Sequence, residues 1–425
     1  NGKADGDLNI TGTGGAESVG SNWGIYTNAG DIIRSIGSGN VTLTGTGGTI
    51  GNSNHGVLNS SNATITSNSG FVLVKGTGGS NQSSSGVNNY GTITSSGTGS
   101  VTVEGVAGNV GDTNSNYGVV NAASGAGGGV ISSSGGTVTV VGTGAAGWEA
   151  IYLSDTSSIT APGALTLTSN GGAINQTGGT ITVDGTTTIT AGANNATLAP
   201  STNDFVGAVS VVSANNVSLA DANSLTLGAS TVGNNFTATA AGGVVVAGNV
   251  TAGGTGAINI TGNTNSAVRS RYGVIVYDNV TIQTTDGALN ITGTGGSASS
   301  GANYGVYNDY GAIITSGGAG TVTVTGTGGS GERGLNGGVV NYEGTITSGG
   351  GDVTVTGIGG TGVGGSNCGV FNYGVNSAGT ITSVGGAVTV TGTGGTGGSD
   401  NDAILMGLDS VVDAPGDLTL ISNRG

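Results

Sequence analysis

Apolar and polar residues alternate along this chain in short runs, and nearly every run ends in glycine. In Val322-Thr323-Val324-Thr325-Gly326 the valines fall on one face and the threonines on the other, as strand side chains do. The same phrase recurs at Leu8 to Gly12, Val41 to Gly48, Val101 to Gly105, Leu289 to Gly296, Val353 to Gly360 and Val388 to Gly395. A second phrase, Gly-Val-x-Asn, follows as Gly56 to Asn59, Gly86 to Asn89, Gly118 to Asn121, Gly305 to Asn308, Gly338 to Asn341 and Gly369 to Asn372. A third, Gly-Thr-Ile-Thr-Ser, closes the cycle at Gly91, Gly344 and Gly379. The cycle takes about thirty residues, the signature of a stacked solenoid. We therefore expect an all-β parallel β-helix (β-solenoid) with three short strands in each coil of about 30 residues.

Each run is too short to bury a core alone, so the apolar columns exist only when coils stack. Valine points inward and threonine outward, and the third phrase contributes one inward isoleucine such as Ile93, Ile346 or Ile381. The second phrase places valine and asparagine at i and i+2, on the same face. A buried carboxamide requires partners. Stacking supplies them if each asparagine bonds its equivalent about 4.8 Å away. Two ladders are expected, one of Asn59, Asn89 and Asn121 and the other of Asn308, Asn341 and Asn372. The competing reading puts these asparagines in left-handed turns, where Asn is also enriched. Glycine should turn the corners, and inserts such as Ser330 to Asn336 should bulge from one edge.

The repeat is hierarchical. Residues 149–170 correspond to 402–423, down to Pro162 and Pro415, and in both copies an apolar residue, Leu153 or Met406, replaces the ladder asparagine. The ladders should end there. Between the copies the coils shorten toward about twenty residues and alanine replaces some glycine. The expected organisation is a wide-coil unit at 1–170, a narrower short-coil stretch at 171–257 and a second wide-coil unit at 258–425. Because repeats run to both ends, the chain is expected to be a segment of a longer polypeptide.

Composition narrows the class. Only 7% of residues are charged and 94 are glycine, unlike an ordinary globular enzyme, while the 3 prolines exclude collagen. The regular apolar alternation argues against a disordered low-complexity tract. A net charge of −15 argues against nucleic acid or an anionic membrane as partner. No apolar run is long enough for a spanning helix, and no signal peptide opens the chain. The single cysteine, Cys368, excludes an internal disulfide.

Gly171-Gly172-Ala173-Ile174-Asn175-Gln176-Thr177-Gly178-Gly179, then Asn203 to Val209 and Ser224 to Gly228, resemble the repeats of large bacterial exoproteins of the filamentous-haemagglutinin-like kind. That resemblance covers the whole chain as repeat style, with its specific motifs mostly in 165–260. It implies a right-handed parallel β-helix, export by two-partner secretion or as an autotransporter passenger, and service as an adhesin or surface filament. The Asn-Pro-rich secretion domain of that family is missing from this sequence.

Little chemistry is legible. A β-helix hydrolase or lyase would need clustered carboxylates with a basic residue. Asp278 with Asp286, Glu149 with Asp155, and Asp400 with Asp402 are the nearest sets, and Arg269 and Arg271 approach Asp278. The single histidine, His55, rules out a multi-histidine metal centre and a histidine-based triad. Ser399 to Asp402 and Asp112 to Asn116 offer oxygen ligands but too little charge for calcium. No phosphate-binding glycine loop is present. Asn40, Asn235 and Asn290 open Asn-x-Ser/Thr triplets. Paired threonines such as Thr42 and Thr44 or Thr323 and Thr325 resemble ice-binding arrays, although threonine is simply a good exposed strand residue. No catalytic, cofactor or metal site is expected.

The sequence thus points to a non-catalytic extracellular rod, a segment of a giant bacterial surface adhesin or filament. Its expected partners are further copies of itself, end to end or laterally, or a cell-surface glycan or protein met through the inserts or an aromatic strip such as Tyr307 and Phe371. An ice-binding solenoid and, last, a polysaccharide-degrading enzyme are the rival readings.

Overall fold

The computed structural model describes residues 2–424 except 5, 17–19, 81, 109–114, 125–126, 265–271, 298–301, 332–334 and 364, with the backbone alone at 2–4. The protein is an all-β parallel β-solenoid, with no helix among the described residues. It forms two compact units, Asn1–Asn215 and Asn216–Gly425.

In the first unit a wide coil runs through three strands, as in Val41–Thr46, Val57–Asn59 and Thr64–Ser67. Each pairs in parallel with its equivalent one coil on: Val41 with Val72, Val57 with Val87, and Ile65 with Ile93. The alternation dictates the packing, since Val41, Leu43, Val57 and Ile65 are fully buried while Thr42 and Thr44 face outward. The same register holds in the second unit, where Val322–Thr327 pairs with Val353–Ile358 and Val339–Tyr342 with Val370–Tyr373.

Coil length varies within each unit. Ladder asparagines 59 and 89 are 30 residues apart, whereas Asn195 and Asn215, bonded on adjacent short coils, are 20 apart. In the second unit Asn216 and Asn235 are 19 apart. The eight-residue strand Leu225–Val232 explains one economy. Its first half pairs with Val244–Val246 and its second half with Val250–Ala252, so one strand does the work of two and a corner disappears.

Two sequence expectations change. Glycine does not turn every corner between the second and third strands: Gly30 and Gly311 share the left-handed role with Asn62 (φ 63°), Asp155 (φ 55°), Asn279 (φ 58°) and Glu343 (φ 52°). Polar side chains that bond local backbone make such positions tolerable. Glycine is instead indispensable inside the first strand. A Cβ on Gly45 would stand 2.1 Å from the carbonyl oxygen of Gly56, and one on Gly326 2.1 Å from that of Gly338. The first and second strands of neighbouring walls meet backbone to backbone there.

The third strand also carries more inward residues than the lone isoleucine expected. Ser67, Ser95 and Ser348 are fully buried beside Ile65, Ile93 and Ile346.

Candidate functional site

The six ladder asparagines are all fully buried, and none has positive φ. They are strand residues. Asn59 Nδ2 donates to Asn89 Oδ1 at 2.7 Å, and Asn89 Nδ2 to Asn121 Oδ1 at 2.7 Å. Thr27 begins this series by donating its hydroxyl to Asn59 Oδ1 at 2.6 Å. In the second unit Asn308 donates to Asn341 and Asn341 to Asn372, both at 2.8 Å. All the bonds in a series run one way, so each carboxamide is polarised by the one before it. Beyond Asn121 and Asn372 the register brings Leu153 and Met406. There the last carboxamide turns to backbone: Asn121 to the Ser158 carbonyl at 3.1 Å, and Asn372 to that of Val411 at 3.1 Å.

A second column escaped the sequence reading. Asn303 Nδ2 donates to Asn336 Oδ1 at 3.0 Å, Asn336 to Asn367 at 2.8 Å, and Asn367 to Asn401 at 3.1 Å. In the first unit the equivalent positions bond backbone, with Asn22 N–H on Asn54 Oδ1 at 2.9 Å and Ser84 N–H on Asn116 Oδ1 at 2.7 Å. The signal was an asparagine two residues ahead of Gly-Val in most copies, masked by the variable inserts beside it.

Serine supplies a third column. Ser67 Oγ donates to the Gly39 carbonyl of the preceding coil at 2.7 Å and accepts from Gly70 N–H at 2.9 Å. Ser383 repeats this with the Gly351 carbonyl at 2.8 Å and Gly386 N–H at 2.7 Å. One hydroxyl closes its own turn and ties coil to coil. Where the coils shorten, Gln176 and Asn203 exchange amide bonds at 2.8 and 2.9 Å in the interior.

Several of the acidic side chains singled out in the sequence accept hydrogen bonds. Asp286 Oδ1 accepts from Ala319 N–H at 2.6 Å, and Glu149 accepts from Asn175 at 3.2 Å. Asp155 accepts from Ser154 at 3.0 Å, and Asp400 from Ser399 at 3.1 Å. Asp402 holds Gly369 N–H through its backbone carbonyl at 2.9 Å. Asp278 meets Asp309, whose carboxyl is pushed above the usual range by burial and by Asp278. Arg269, Arg271 and Asp112 to Asn114 lie outside the described residues, as do 332–334 of the insert. Among the described residues no three His, Cys, Asp or Glu side chains converge.

Glu343 is a residue the sequence did not mark. It is 3% exposed, and its carboxylate accepts from the N–H of Val375 and Ser377 and from the Ser377 hydroxyl. These bonds hold the next coil's corner over its own left-handed backbone. Burial pushes the thiol of Cys368, 2% exposed, up to about 11, which disfavours the thiolate.

The triplet asparagines are also occupied: Asn235 bonds Asn216 at 2.9 Å, Asn290 bonds Asn259 at 2.9 Å, and Asn40 accepts from Phe71 N–H at 3.0 Å. Threonines align in the second unit, with Thr323, Thr354, Thr389 and Thr419 in one register. In the first, Lys75 and Glu104 interrupt the row and pair at 2.8 Å. Tyr307 and Phe371 share an outward column but Val340 stands between them. Tyr307 packs on Tyr272 and Tyr304 at 5.5 and 5.3 Å, and Phe371 on Tyr373 at 5.3 Å.

The profile of a family described as repeats of unknown function (DUF5649) matches residues 150–212 and 214–268. The short coils of this chain are similar to those repeats. No curated protein and no solved structure matches the chain.

Proposed function

We propose that the chain is a non-catalytic structural rod segment of an extracellular bacterial surface filament or adhesin, in which the stacked coil is itself the working part. The carrying observation is the set of buried, directional amide columns in both units, which fixes each coil on the next. A buried polar network of this kind specifies one register and resists sliding. Acidic side chains support the same reading, since Asp286 and Glu343 accept backbone N–H groups of the next coil and, among the described residues, no three such groups converge. The repeat style of 165–260, similar to that of large exoproteins, favours the surface location and self-association into fibres.

Protease shaving and immunogold labelling of cells carrying the native protein test the location. Surface label along uniform fibres is expected. An intracellular signal, or cleavage of a polysaccharide by the purified chain, overturns the proposal.

A further inference from the structure

One stretch of the first unit departs from the flat wall that stacking produces. The position before the second-phrase glycine is occupied on successive coils by His55, Ser85, Tyr117 and Glu149, and the outward position within that strand by Leu58, Asn88, Val120 and Tyr152. Small residues at Ser85, Asn88 and Val120 stand between larger neighbours, so the columns sink. The result is a recess of about 360 Å³, walled by His55, Tyr90, Tyr117 and Tyr152. That volume is within the range of small-ligand sites, ~300–1,000 Å³.

The walls are fixed. Tyr117 stacks on Tyr152 at 5.0 Å with the rings 14° apart, and meets Trp148 edge-on at 5.3 Å. His55 Nδ1 accepts from Ser85 N–H at 3.1 Å, which leaves its proton on Nε2, facing the Asn88 carboxamide at 3.4 Å. Asn88 also meets the Tyr90 hydroxyl at 3.2 Å. Asn88 is 5% exposed, and its second amide atom has no protein partner. In either amide orientation one polar atom on this wall is left over.

The chemistry of the lining selects the ligand. Hydroxyls of Ser53, Ser83 and Ser115 add to those of the tyrosines, and the apolar share is limited to Val120 and two alanines. Burial holds the His55 imidazole down to about 4, so it is neutral at physiological pH. Among the described residues no Lys, Arg, Asp or Glu lines the recess, and the pKa of the Tyr117 hydroxyl is raised by burial and then by the nearby negative charge of Glu149. Anions gain nothing here. A neutral polyol ring fits, laying C–H faces on aromatic surface while its hydroxyls meet hydroxyls and amide.

We infer that this recess binds a neutral monosaccharide unit of a glycan. The inference goes beyond the structural role and does not depend on it.

The test uses the whole 425-residue chain. Saturation-transfer NMR and calorimetry would screen cellotriose, mannotriose, N-acetylchitotriose and lactose, with sialyllactose and a heparin tetrasaccharide as anionic controls. At least one neutral saccharide should bind. Tyr117→Ala should weaken it about tenfold or more, as loss of an aromatic platform does. Ser85→Tyr, which continues the aromatic column and fills the notch, should abolish binding with the melting midpoint retained; it stands alone if Tyr117→Ala fails to fold. Tyr307→Ala, in the other unit, should leave binding intact. Binding of the anionic controls alone, no binding at all, or neutral binding that survives Ser85→Tyr overturns the inference. None of those results touches the structural reading, which fibre microscopy decides.

Discussion

Asn341 receives a hydrogen bond from Asn308 at 2.8 Å and passes one to Asn372 at 2.8 Å, all three side chains being fully buried. Because the bonds share a direction, the middle residue cannot be removed without stranding an acceptor on Asn372. Asn341→Ala is expected to destabilise its coil by about 2 kcal/mol or more. Asn308→Ala, which cuts a single link, should cost less. Hydrogen exchange of the second-phrase amides, followed by mass spectrometry, measures both. Equal protection in the two variants would show that the column contributes nothing as a network.

A methyl on Gly357 would stand 2.0 Å from the Gly369 carbonyl oxygen, and neither atom belongs to a movable side chain. Gly357→Ala should force two strands apart at a cost of about 3 kcal/mol. Gly350→Ala, whose nearest neighbour would be 3.4 Å away, should shift the urea midpoint little. The paired unfolding curves separate a packing requirement from mere glycine abundance.

His55 is the only histidine, and burial lowers its pKa from 6.5 to about 4. The unfolded chain therefore binds a proton before the folded one does. Stability from this group is complete above pH 6.5 and is lost as pH falls from there toward 4, by roughly 3 kcal/mol at most. Denaturation midpoints between pH 6.5 and 5 should fall more steeply for the parent chain than for His55→Phe.

Lys75 and Glu104 pair at 2.8 Å on the outer wall, with side chains 45% and 38% exposed. Water and salt screen such a pair. Lys75→Ala should change stability by no more than about 0.5 kcal/mol. Melting temperature of the parent in low and high salt should agree closely; a large salt dependence would assign the surface charges a role the geometry does not give them.

Much of the fold was legible because the pattern has only one way to be satisfied. Val322 and Val324 share a face whatever the tertiary structure, and an asparagine two residues from a buried valine shares it too. The loss of asparagine at Leu153 and Met406 was equally visible as the place where the column ends, whereas the backbone carbonyls that the last carboxamides turn to were not. The column through Asn303, Asn336 and Asn367 was harder to see. Those residues precede the strand, follow inserts of unequal length and have no alternation to mark their inward direction. Ser348 was hidden for another reason: serine at a strand end reads as a turn residue until its Gly320 partner, 28 residues earlier, comes into place.

The sequence by itself determined the strand phrases, their order and the inward set of Val, Ile and Asn, since side-chain alternation and the cost of an unpaired buried amide are local constraints. Tertiary structure decided what depends on coils of unequal length meeting. It chose which glycines face a carbonyl across the wall, and let Leu225–Val232 replace two strands with one. It also set Ser85, Asn88 and Val120 among larger neighbours, so that a repetitive wall acquired a walled recess in that stretch of the first unit. Apart from His55, the chain's only histidine, no residue type in that recess is rare in the sequence. Only stacking, which brings positions about thirty residues apart to within one strand spacing, turns small side chains into a shape.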